Sequence, residues 1–208
     1  WRLASSVLYR DQVRKLNNQF GNFILIPSNF ALGTDFEATV KRERYLGLKK
    51  IENWNEGDQV ERIAHYKSIY EYMARAIPVI AEESQDSNIV VRPHPADDIS
   101  VWKARKRKWP KNVHVVYEGV INPWIKASGA LVHNNCTSAV EAFAMGKLAI
   151  AYTPLQDVRF DFNLPNRISE KVDNLEGLLE LIKIRISHSD CPPEIEKENL
   201  LNRFINEP

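Results

Sequence analysis

This sequence predicts an α/β fold, a single doubly wound parallel sheet of Rossmann-like type, on three observations. Short apolar runs at 22–27, 89–92, 113–117, 130–132 and 148–152 alternate with stretches of helical periodicity, the pattern of repeated βαβ units. Residues 127–152, ASGALVHNNCTSAVEAFAMGKLAIAY, hold one complete strand–turn–helix–strand unit, with Gly146 placed to end the helix. The chain has 208 residues, 44% of them hydrophobic, enough for one well-buried α/β domain or at most two small ones.

The totals exclude several function classes. A net charge of +1 supplies no bulk field toward nucleic acid, and none is expected as a partner. Cys136 and Cys191 are too few for a disulfide framework and lack metal-ligand spacing, so a reducing, cytoplasmic setting suits them and no metal site is expected. Asn135-Cys136-Thr137 matches a glycosylation sequon, a coincidence in such a chain. No signal peptide or apolar run of membrane-spanning length is present, and a start at Trp1 suggests a piece of something longer. The dinucleotide GxGxxG, the P-loop and the GxSxG elbow are all absent.

Taken in order, residues 1–20 read as a connecting helix without a strong face, and residues 21–190 as the Rossmann-like domain. The strand at 22–27 stops at Pro27 and feeds the small polar turn Ser28–Asn29, either a ligand contact or an ordinary strand-end turn. A loop-rich, charged insertion follows, with a short helix expected over 36–47. From Asp58, Val60, Ile63, Tyr66, Ile69, Tyr70, Met73, Ile77 and Ile80 mark a long helix that Pro78 should kink or restart. Its tyrosines and Met73 sit at core spacing and read as packing.

The strand at 89–92 ends in Arg92-Pro93-His94-Pro95. Two prolines fix the backbone around His94 and present its imidazole from the strand end, where it can donate to a phosphate oxygen or take a proton. A rigid turn with an incidental histidine is the plainer alternative. Asp97 and Asp98 fall in the first turn of a helix to about Trp109, where helix-dipole complementarity explains them. That helix continues as KARKRKWPK, six basic residues in nine. The run from Lys103 to Lys108 reads as a solvated face, with peripheral contact to an anionic membrane face as the minority reading. The strand at 113–117 ends beside Glu118 and Gly119, and Asn122-Pro123 opens a helix with Asn122 as cap.

The turn Asn134–Thr137 lies between a strand end and a helix start, where unpaired N–H groups and the helix dipole attract an anion. Hydroxyls of Thr137 and Ser138 add donors. The same residues satisfy a capping box, Ser138-x-x-Glu141, in which serine and glutamate close only the helix's own first turn. Beyond it, residues 153–168 read as an irregular stretch able to close over a cleft, 175–186 as an amphipathic helix, and the end of the chain, 191–208, as a C-terminal helix. In a parallel sheet all strand ends share one edge, so Ser28, Asn29, His94, Glu118 and the residues from Asn135 to Glu141 are expected to line one crevice.

VVRPHPADD, NVHVVYEG, NPWI and LVHNNCTSAVEAFAMGKLAIAY, in that order, resemble the donor-binding, C-terminal half of GT-B glycosyltransferases. The likeness is greatest to bacterial surface-carbohydrate biosynthesis proteins related to capsule Kdo transferases, and it covers about residues 20–155. The resemblance implies a nucleotide-activated sugar, CMP- or UDP-linked, as donor substrate, with no separate cofactor, and a glycan or lipid-linked acceptor. By position it implies His94 as the catalytic residue on the donor phosphate. Thr137 and Ser138 then bind the phosphate, Glu141 the ribose, and Tyr117, Glu118 and Gly119 lie near the base. Ser28, Asn29, Arg92 and Asn135 complete the expected donor site. The family's catalytic acid or base comes from an N-terminal domain, which is not expected within this chain. Two alternatives stand beside it. A nucleotide-sugar 2-epimerase shares the fold and an HP-like turn, though its SGG turn is not seen at residues 134–137. A non-catalytic nucleotide-binding or assembly module is the third reading.

Overall fold

The computed structural model describes residues 8–31, 56–161 and 163–187. Six strands form one all-parallel sheet: β1 Phe23–Pro27, β2 Asn88–Arg92, β3 Val113–Val115, β4 Ala130–His133, β5 Ile150–Tyr152 and β6 Glu170–Val172. Their spatial order is β3-β2-β1-β4-β5-β6. Pairing starts at Phe23 beside Asn88 and runs to Pro27 beside Arg92, and on the other side Ile24 and Leu25 face Ala130 and Leu131. The strand order reverses between β1 and β4, so connections leave toward opposite faces there, the point at the carboxyl edge where sheets of this kind bind ligands. The α/β, Rossmann-like, doubly wound sheet expected from the sequence is the observed fold.

The inner strands read as largely apolar runs because both their faces are covered. Every residue of β1 is buried. Ile24, Ile26, Ile89, Val91, Val132, Ile150 and Tyr152 face helices α2 Glu56–Glu83, α3 Ile99–Lys106 and α7 Leu175–Ser187. Phe23, Leu25, Val90 and Leu131 face α1 Arg10–Phe20, α4 Asn122–Ala127 and α5 Ser138–Ala144. Period-2 alternation thus sends neighbouring residues of one strand into two separate cores. The expected stripe on α2 lies in the first of these (Ile69, Tyr70, Met73, Ile77 and Ile80 are buried), apart from Tyr66, which packs with Phe160, while Val60 is exposed.

Several boundaries differ from the sequence reading. Helix α2 runs through Pro78 without restarting. Ala74, Ile77, Ile80 and Ala81, buried on both sides of the proline, hold the two halves to one surface at the loss of a single backbone bond. Helix α4 has Ile121, not Asn122, at its N-cap. The stretch expected to be irregular, 153–168, contains α6 Asn163–Arg167, and β6 follows it. The 31–57 insertion beyond Ala31 and short of Glu56, the C-terminal helix at 191–208 and Cys191 lie outside the described residues, as do the bounds drawn at 1 and 190. Among the described residues no helix is long and apolar enough to cross a membrane.

Candidate functional site

Because the strands are parallel, Ser28, His94, Val116 and Asn134 all leave the sheet at one edge. Hydrogen bonds tie these strand ends together. The Ser28 N–H donates to the Arg92 carbonyl (2.9 Å), extending the β1–β2 ladder by one step. The Ser28 hydroxyl accepts from the His94 N–H (3.0 Å) and donates to Asp97 Oδ2. That carboxylate oxygen also accepts from the Trp102 indole N–H (3.0 Å). Burial pushes the Asp97 carboxyl up, against the bonds from Ser28 and Trp102, and its Oδ1 is buried with no hydrogen-bond partner among the described residues. Asp97 is therefore more than a dipole complement at a helix start: it anchors the turn that carries His94. Asp98 does the simpler work, accepting from the Ser100 N–H (2.8 Å) as N-cap of α3.

His94 is exposed, and its backbone is held at both ends. Its carbonyl accepts from the Asp97 N–H (2.8 Å) and its Nδ1 accepts from the Ala96 N–H (3.1 Å). A nitrogen that accepts carries no proton, so the neutral ring has its hydrogen on Nε2. The turn thereby presents an N–H donor at the carboxyl edge.

Arg92 ends β2 and is buried. One Nη donates to the Glu118 carbonyl and the other to the Gly119 carbonyl (2.9 Å). The guanidinium carbon lies 4.6 Å from the Trp124 ring centre, a cation–π stack. Burial lowers the Arg92 pKa, with Glu118 and Tyr117 opposing. Its two terminal nitrogens hold the loop after β3, while its Nε is buried with no hydrogen-bond partner among the described residues; the residue supports Tyr117, Glu118 and Gly119, all exposed. Gly119 has φ +65°, the left-handed region in which glycine carries no side-chain penalty.

At the switch point, the Asn29 amide donates to the Asn135 carbonyl (3.1 Å), bridging β1 to the turn after β4. Asn135, itself at φ 52°, is buried and fully engaged. Its N–H donates to Asn166 Oδ1 (3.1 Å), its Nδ2 to Asp161 Oδ1 (2.9 Å), and its Oδ1 accepts from Asn166 Nδ2 (2.7 Å). Asp161 also meets His65 Nε2 at 2.9 Å, and its other oxygen accepts from the Asp157 N–H. Burial would raise the Asp161 carboxyl, but the bonds from His65, Asn135 and Asp157 outweigh it and hold the pKa low. The stretch after β5 is thus fastened to α2 and to the central turn.

The central turn departs from the capping-box expectation. Thr137 is the N-cap of α5, in helical φ/ψ, with no side-chain cap bond, and it is exposed. Ser138 is buried, its hydroxyl accepting from Cys136 Sγ (3.4 Å). Glu141 turns instead to α4, where Oε2 accepts from Asn122 Nδ2 (2.6 Å). Burial raises the Glu141 carboxyl against that bond. Asn122 and Glu141 therefore satisfy each other between two neighbouring helices, and neither closes its own first turn.

The carboxyl edge brings together Ser28, Asn29, Arg92, His94, Tyr117, Glu118, Gly119, Asn135, Thr137 and Ser138, with Glu141 to the α4 side. The tertiary contacts of Asp97, Asn166 and Asp161 have no signal in the sequence, since their partners lie 69, 31 and 26 positions away, beyond any local pattern. His133 ends β4. It is wholly buried, its Nε2 2.8 Å from Ser169 Oγ, and burial lowers its pKa to about 3. Among the described residues no group of three or more His, Cys, Asp or Glu is placed to hold a metal ion. The basic run lies at the far end of α3. Lys103, Arg107 and Lys108 are exposed, while Arg105 pairs with Glu71 and lies 5.3 Å from the Tyr70 ring.

No protein-family model matches the chain, and no curated protein sequence does. Among solved structures, TarM aligns over 65% of this chain and 31% of its own, at 12% identity and a TM-score of 0.40. The pneumococcal O-GlcNAc transferase GtfA, in complex with UDP and GlcNAc, aligns over 86% of this chain and 29% of its own, at 9% identity and a TM-score of 0.37. The chain spans less than a third of either protein.

Proposed function

We propose that this chain is the donor-binding domain of a glycosyltransferase that uses a CMP- or UDP-linked sugar in bacterial cell-surface polysaccharide biosynthesis. The observation that supports the reading is the place of the His94 turn: the ring, with its Nδ1 accepting from Ala96, carries its proton on Nε2 at the carboxyl edge, one strand from the switch point. In glycosyl transfer an acceptor hydroxyl oxygen bonds to the sugar's anomeric carbon as the bond from that carbon to the phosphate oxygen breaks. The electron pair leaves with the phosphate, and the hydroxyl proton passes to a base on the acceptor side. An Nε2–H aimed at the departing phosphate stabilises the charge as it develops, a contribution that grows toward the transition state. Thr137, exposed at the start of α5 with no side-chain cap bond, lies at the same edge, and its hydroxyl suits a remaining phosphate oxygen.

The test is a thermal-shift series with CMP, UDP and ADP on the wild-type chain and on His94→Ala. Selective stabilisation by CMP or UDP, reduced about ten-fold in apparent affinity by the substitution, supports the reading. Absence of stabilisation by all three nucleotides removes it and leaves an assembly module.

A further inference from the structure

The segment that joins β5 to α6, residues 153–161, is rooted in the sheet and clasped to α2 at its far end. At the root, the Thr153 N–H donates to the Val172 carbonyl (2.7 Å) and Leu155 packs on the main core. The tip, Val158, is 97% exposed. Beyond the tip, Arg159 Nη1 pairs with Glu61 of α2 (2.7 Å) and the Tyr66 hydroxyl donates to the Phe160 carbonyl (2.9 Å). The side chains of Tyr66 and Phe160 bury each other in a small cluster separate from both sheet cores. The 157–161 turn also closes on itself. The N–H groups of Phe160 and Asp161 donate to the Asp157 carbonyl (3.0 and 2.9 Å), and the Asp157 N–H donates to Asp161 Oδ2 (2.9 Å).

Asp161 is where this turn meets the centre of the site. Its Oδ1 lies 2.9 Å from His65 Nε2 on α2 and accepts from Asn135 Nδ2, after β4, at the same distance. Asn135 is held at φ 52°, a conformation that persists in a residue with a Cβ only where its surroundings impose it. One carboxylate oxygen therefore joins the turn, the helix and the strained residue. A cluster of two side chains buries far less than the sheet cores, and such units open at lower free energy than the cores do.

We infer that residues 157–161 form a latch, closed on α2 or released, and that Asp161 is the positioning residue through which the closed latch holds Asn135 and the central turn in shape. Release withdraws the acceptor of Asn135 Nδ2, and with it one hold on the left-handed backbone, while the sheet stays intact. The latch stands on contacts within the chain. That its closed form is the form that takes nucleotide rests on the proposed function.

The experiment is residue-resolved amide hydrogen exchange on the whole chain, comparing wild type with the double variant Tyr66→Phe, Arg159→Ala. These substitutions loosen the clasp without touching the central turn. The Asn135 N–H, which donates to Asn166, reports on that turn, and Leu25 in β1 reports on the sheet. The double variant is expected to exchange about ten-fold faster at both Phe160 and Asn135, with Leu25 unchanged. Faster exchange at Phe160 alone, no change at either, or an equal rise at Leu25 overturns the inference. Asp161→Ala cuts the joint, so adding the clasp substitutions to it is expected to quicken Asn135 no further; additive effects would remove Asp161 from that role. If Asp161→Ala does not fold, the clasp variant decides. Saturation with whichever of CMP and UDP binds is expected to slow exchange at Phe160 in wild type. Bound nucleotide without that protection overturns the coupling to the site. Absence of nucleotide binding removes the proposed function, and exchange in the free chain still decides the latch.

Discussion

His94 was legible because its fixation is local: two flanking prolines announce a rigid turn. The residues that complete the turn were not, since Asp97 reaches Ser28 across 69 positions and only the β1–β2 pairing brings them together. Asn135 shows the same limit. Sequence placed it in the central turn, but its saturation by Asn29, Asn166 and Asp161 depends on three separate segments. Asn135→Ala places a side chain that prefers negative φ at 52° and strips partners from buried amides, and is expected to cost about 2–4 kcal/mol in urea unfolding. Glu141→Gln keeps an oxygen facing Asn122, so the melting temperature should barely move; a ten-fold or greater loss of nucleotide affinity in the same variant is the expected mark of a ribose contact. His133 carries an acid signature. Its folded pKa is lowered from 6.5 to about 3, so the unfolded chain binds the proton first. The stability it supports is complete above pH 6.5 and is lost as pH falls toward 3, by roughly 1.4 kcal/mol per unit at most. Unfolding titrations of wild type and His133→Gln between about pH 7 and 4 should converge as the medium turns acid; parallel curves would mean that His133 does not stay neutral in the fold.

Elements with a clear period were readable and those without one were not. Strand β1 is an unbroken apolar run and β2 has an Ile-Val-Val centre, and α2 carries a stripe long enough to survive Pro78. Strand β6 is Glu-Lys-Val at the sheet's edge, with no face fully buried, and nothing in three such residues announces a strand. It exists because β5 offers it a ladder from Ile150 to Tyr152. Helix starts show how far a motif can mislead. The capping box at Ser138 and Glu141 matched by pattern, yet Thr137 precedes the helix without a cap bond, whereas Asp98 caps α3 with a real one. Asp98→Ala is therefore expected to destabilise the chain by about 1 kcal/mol, and Thr137→Ala by less than about half of that. Equal losses in thermal melts of the two variants would return a capping role to Thr137.

At the scale of the molecule, the order β3-β2-β1-β4-β5-β6 follows from alternating strands and helices, and it gathers the strand ends on one edge. What sequence could not show is how that edge is stitched: Arg92 to the 118–119 carbonyls, Ser28 to the His94 turn, Asn29 to Asn135. A shallow depression at the opposite, amino-terminal edge, between Ser128, Gly129, Lys147 and Arg185, is the structural competitor for a small anion. Its cations are engaged, Lys147 with the Ser128 carbonyl and Arg185 with Glu170. The most direct measurement is amide chemical-shift mapping of the labelled chain during titration with CMP. Binding at the carboxyl edge is expected to move the amides of Asn29, His94, Gly119, Val120, Asn135 and Thr137 together, saturating with one affinity. Shifts confined to Ser128, Gly129 and Lys147, or no saturable shifts at all, would contradict a nucleotide site at the carboxyl edge.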